Sequence, residues 1–136
     1  MSLADLWKSS PEQIKGKTIQ QLLTFAGDGH LRDGNETSDE LRSFLAHIPS
    51  DLLQDFAEHC LASSFADGGL ALQDIVNQVG HRLGFQVEDG RYRGVVGEVG
   101  FDGIWRAGAG AAILVEVKTT DAFRLSLDTT ARYRRA

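Results

Sequence analysis

Asp102 and the triplet Glu116-Val117-Lys118 are the residues whose types and spacing could carry chemistry, with the glycine-rich stretch Arg106-Ala107-Gly108-Ala109-Gly110-Ala111 lying between them. The arrangement reads as a β-hairpin. A tip centred on Ala109 would pair Ile104 with Leu114 and Asp102 with Glu116. Like charges directly opposite one another destabilise a sheet, and a bound cation would resolve the conflict. Side chains alternate along a strand, so Glu116 and Lys118 share one face while Val115 and Val117 pack into the other. Two carboxylates, joined by a main-chain carbonyl such as that of Val117, form the hard oxygen donor set that Mg²⁺ prefers, with Mn²⁺ a possible substitute. Such an ion would lower the pKa of a water and neutralise a phosphodiester, and Lys118 could orient the nucleophile or add positive charge. A Glu-x-Lys on a strand is by itself usually a solvated face; the acid opposite is what singles this one out.

The elements that must hold this hairpin can be traced backward from it. Period-two patterning expects strands at Phe85 to Val87, Tyr92 to Val95, Val99 to Trp105 and Ala112 to Val117. Before them, Leu72, Ile75, Val76, Val79 and Leu83 follow a helical series that ends near Gly84. Ala66-Asp67-Gly68-Gly69 reads as a hinge, and residues 1–68 read as a small module of short helices. Ser10 with Pro11 and Gln13 marks one helix start, Thr18 with Gln21 a second, Thr37 with Glu40 a third, and Ser50 a fourth. Leu22, Leu23 and Phe25, then Leu41, Phe44, Leu45 and Ile48, then Leu52, Leu53, Phe56, Cys60 and Leu61 supply their apolar faces. Gly27-Asp28-Gly29 and Asp33-Gly34-Asn35 fail the ligand spacing of a calcium loop and read instead as a capped acidic turn.

Asp102 followed, after thirteen residues, by Glu116-Val117-Lys118 resembles the Asp…Glu-x-Lys signature of the PD-(D/E)XK nuclease superfamily. Phe101-Asp102-Gly103-Ile104-Trp105 and Glu116-Val117-Lys118-Thr119-Thr120 look especially like bacterial restriction-type and defence-associated members. Phe101 stands where the name-giving proline would be, a residue that performs no chemistry. The resemblance covers about residues 70–136. It implies an α/β (mixed α+β) fold in which the helical module 1–68 precedes a restriction-endonuclease-like αβββ(αβ) core at 69–136, with the closing helix and strand beyond Ala136 or supplied by a second copy. It also implies Asp102 and Glu116 as metal ligands and Lys118 as the catalytic lysine of an Mg²⁺-dependent DNA endonuclease. Many members carry a further acid on the first core helix; Asp74 is the choice here, with Glu98 second because it shares strand parity with Asp102. The alternative is a nuclease fold that has lost catalysis and serves as a DNA- or protein-binding scaffold in a larger complex.

The bulk numbers bound these readings. The net charge of −5 argues against a protein that coats nucleic acid through charge alone. The charge is unevenly spread, because residues 1–68 hold five Lys or Arg against eleven Asp or Glu and the remainder holds nine against eight. DNA contact is therefore expected in the second half, with Arg124, Arg132, Arg134 and Arg135 as candidate contacts. The acidic module would serve a homodimer or a restriction or defence complex. The one cysteine, Cys60, reads as a buried thiol. Neither a membrane span nor a secretory leader is evident, so a cytoplasmic location without membrane contact is expected.

Overall fold

The computed structural model describes residues 2–94, 96–97 and 100–119. Glu98 and the arginines Arg124, Arg132, Arg134 and Arg135 lie outside the described residues. Among the described residues, five helices lead into an antiparallel meander: α1 (Leu3–Ser9), α2 (Ile19–Leu23), α3 (Glu36–His47), α4 (Ser50–Ala62) and α5 (Gly68–Arg82), then β1 (Gln86–Asp89), β2 (Gly103–Arg106) and β3 (Ala112–Val115). The strand order is β1-β2-β3. The chain is thus a mixed helix-and-sheet protein. None of the described helices is long and apolar enough to cross a membrane.

Local chemistry explains most helix starts, though not always with the expected residue. Thr18 and Gln21 form the anticipated capping box, each side chain bonded to the other's backbone N–H. Ser2 and Asp5 form another at α1, which period and composition did not flag. Ser10 makes no side-chain cap, and the segment after it is only a 3₁₀ turn, Pro11–Gln13. At α3 the cap is Asn35, whose side chain accepts the Ser38 N–H at 3.0 Å. Thr37 is instead buried, with its hydroxyl donating to Ala26 O at 2.9 Å, and Glu40 accepts the Leu3 and Gly27 N–H groups, tying α1 and the intervening loop to α3. Ser50 is the first residue of α4 rather than its cap. Asp28, in the acidic turn, takes the His30 N–H and pairs with Arg32, as a capped turn should.

The apolar core runs across the boundary drawn at residues 68 and 69. Ala71, Leu72 and Ile75 of α5 belong to the same buried cluster as Ile19, Leu41, Phe44 and Phe56, and the rings of Phe44 and Phe56 lie 5.9 Å apart. The stretch expected to act as a hinge therefore delivers α5 into the helical core. Phe25, Leu61, Val79 and Leu83, all expected on apolar faces, are exposed. Arg82, near the end of α5, donates to Leu45 O and Ile48 O, capping the C-terminus of α3.

The sheet is shorter than its period predicted. The described part of Tyr92 to Val95 forms no strand, because the Tyr92 and Arg93 N–H groups go to the Asp33 carboxylate instead of a ladder partner. Between β2 and β3 the register is the anticipated one, Ile104 opposite Leu114 and Gly103 opposite Val115. The tip is the 3₁₀ turn Gly108–Gly110, and Gly110 at φ +82° supplies the left-handed residue that closes it.

Candidate functional site

The ladder stops one residue short of Asp102. There the Asp102 N–H donates to Val115 O at 3.1 Å, and its carboxylate Oδ2 accepts the Val117 N–H at 2.6 Å. The side chain thus stands in for the strand carbonyl that would have continued the pairing. Lys118 Nζ lies 2.8 Å from Glu116 Oε1, which places the two on one side of the strand as alternation requires. Val117 turns the other way and packs against the core. Burial raises the Asp102 pKa, and the Glu116 charge raises it further, against the opposing Val117 hydrogen bond and Lys118 charge. Asp102, Glu116 and Lys118 therefore share one electrostatic neighbourhood.

A third acid does not join them. Asp74 lies on α5 with its side chain fully buried, one oxygen on Arg42 Nε at 3.1 Å and the other accepting from the Tyr92 hydroxyl. Arg42 also stacks over the Tyr92 ring, 5.1 Å from its centroid. Both Asp74 oxygens are committed to this triad, beside a pocket of about 270 Å³ lined by Arg42, Leu45, Gln78, His81 and Asp89. Desolvation pushes the Asp74 pKa up to about 6, against the pull of Arg42 and the Tyr92 hydrogen bond. Among the described residues no three His, Cys, Asp or Glu side chains gather as a metal-ligand group. An ion at the hairpin would thus rest on two carboxylates, a main-chain oxygen and solvent. That sparse set fits Mg²⁺, which keeps several waters and usually takes one or two carboxylates.

No protein-family model, curated protein or solved structure matches this chain.

The supports of Asp102 are residues that periodicity did not single out. Asn77 of α5 donates to Asp102 O at 2.8 Å and accepts from Trp105 Nε1 at 3.1 Å, while the Gly90 N–H reaches the same Asp102 carbonyl at 2.9 Å. Gln73 in turn donates to Gly90 O at 3.2 Å. Glycines make these approaches possible. A Cβ on Gly103 would sit 2.0 Å from Asn77 Oδ1, one on Gly80 would sit 2.5 Å from the Trp105 ring, and one on Gly90 would sit 2.0 Å from Phe101 O. Sequence offered little signal, because Gln73 and Asn77 stand in α5 beside other polar residues, Asp74, Gln78, His81 and Arg82, and only the packing shows which of them are buried.

Proposed function

We propose that this chain is a metal-dependent nuclease that hydrolyses DNA phosphodiester bonds at the β2–β3 hairpin, on a core of the restriction-endonuclease type. The carrying observation is that Asp102, just beyond the β2–β3 ladder, accepts the Val117 N–H and feels the charges of Glu116 and Lys118, so the three side chains gather at the end of that hairpin. Asp102 and Glu116, with the Val117 carbonyl, would hold Mg²⁺ or Mn²⁺. A bound divalent ion supplies Lewis-acid activation of water and positive charge at the scissile phosphate. Lys118, paired with Glu116, is placed to exchange that partner for a phosphate oxygen or the attacking water. A bidentate role is not asked of it, since a lysine acts as a point charge. The flanking arginines after Thr120 would meet the phosphate backbone, and the acidic helices would face a second copy or a larger assembly.

One observation favours the catalytically silent alternative: Asp102 and Glu116 already have protein partners in Val117 N–H and Lys118, so the hairpin end is satisfied without an ion. Calorimetric titration of Mn²⁺ and Mg²⁺, with supercoiled plasmid nicking in parallel, separates the two. The nuclease reading expects metal binding and nicking by the wild type and neither by Glu116→Ala. A wild type that ignores millimolar divalent ions while remaining folded is a scaffold.

A further inference from the structure

Residue 102 lies where the sheet's own hydrogen bonding ends, so something other than the strand ladder must fix it. Its carbonyl accepts two donors, the Gly90 N–H at 2.9 Å and Asn77 Nδ2 at 2.8 Å, and the second arrives from a different layer of the fold. Asn77 is only 1% exposed. The orientation of its amide is set independently, because Trp105 Nε1 has only a proton to offer and takes Asn77 Oδ1 at 3.1 Å, turning Nδ2 toward Asp102. Burying an amide costs free energy unless both ends are bonded, and an aliphatic side chain would fill the same space more cheaply. Gly103 and Gly80 leave no room for a Cβ against Asn77 and Trp105, so the helix and strand are drawn together at this link.

Resting on the nuclease reading, we propose that Asn77 is a positioning residue. It holds the Asp102 main chain so that the carboxylate meets Val117 and the Glu116 side of the hairpin, and thereby sets the affinity of the site for a divalent cation. Partners that orient a metal ligand typically change affinity about 10–100-fold when removed. Asn77 acts at the backbone of its ligand, one step further from the ion, so the lower end of that range is expected.

The test is Mn²⁺ affinity, measured by electron paramagnetic resonance on folded protein. Asn77→Ala is compared with Leu53→Ala, a core variant on α4, at temperatures where both are native by circular dichroism. Trp105→Phe is a milder second variant that keeps an aromatic ring at this position and removes the orienting donor together with part of the indole. The expected result is about a tenfold loss of Mn²⁺ affinity in Asn77→Ala, a smaller loss in Trp105→Phe, and an affinity within about twofold of wild type in Leu53→Ala. Wild-type affinity in Asn77→Ala, or an equal loss in Leu53→Ala, overturns the positioning role while leaving the metal site standing. Absence of Mn²⁺ binding in the wild type overturns both.

Discussion

At the residue scale, two buried or half-buried acids lie on opposite sides of the question of function. Asp102 is raised chiefly by burial, against the Val117 hydrogen bond, with the Glu116 charge adding to the rise. Asp74 is raised mainly by burial, yet its oxygens are spent on Arg42 and Tyr92. Because its folded pKa, about 6, exceeds the unfolded value of 3.8, the native state binds the extra proton. The associated stability is complete below the unfolded pKa and is lost as pH rises through about 6. Comparing urea unfolding of wild type with that of Asp74→Asn isolates this contribution. Between about pH 4 and pH 7 the variant should gain on the wild type by about 2 kcal/mol, whatever constant offset the loss of charge beside Arg42 brings. A pH-independent difference would mean that Asp74 is ionised throughout that range.

At the element scale, the contact that matters is between α5 and β2. Asn77 and Gly80, three residues apart on one helical face, meet Gly103 and Trp105, two residues apart on one strand face. Gly103→Ala should destabilise the fold by about 1–3 kcal/mol, because its Cβ would meet Asn77 Oδ1 at 2.0 Å. In an Asn77→Ala background that clash is gone, so the same substitution should cost less than about 1 kcal/mol, a strong coupling in a double-mutant cycle read by denaturant midpoints. Additive costs would show that the strand, rather than Asn77, resists the methyl group.

At the scale of the whole molecule, the helical half and the sheet are expected to unfold as one cooperative unit, because α5 is both the back wall of the helical core and the platform for β2. Phe56, fully buried in α4, should cost about 3–5 kcal/mol when replaced by alanine. That loss should appear equally in the helical circular dichroism and in Trp105 emission, followed in a Trp7→Phe background. Coincident midpoints are the expected outcome. Sheet emission that melts independently of the helices would mean two units joined at residue 68. Cys60, buried and with its thiol pushed up to about 11 by desolvation, should resist alkylation at neutral pH until this unit opens.

The amino-acid order by itself determined the presence of α2, α3, α4 and α5, the register between β2 and β3, and the nearness of Asp102 to Glu116 and Lys118. Each of these follows from local periodicity or from counting residues across a turn. Tertiary structure alone decided which apolar residues go inside, so that Leu83 stays exposed at 66% while Ile75 is buried at 2%. It also took Asp74 away from the hairpin and gave it to Arg42, thirty-two residues earlier in the chain. Tyr92 was likewise drawn out of a strand by Asp33, fifty-nine residues away. Long-range hydrogen bonds of this kind leave no periodic trace, since either partner's side chain is equally at home in solvent. The clamp on Asp102 belongs with them: an asparagine in a helix and a glycine in a strand acquire their meaning only when the two are packed face to face.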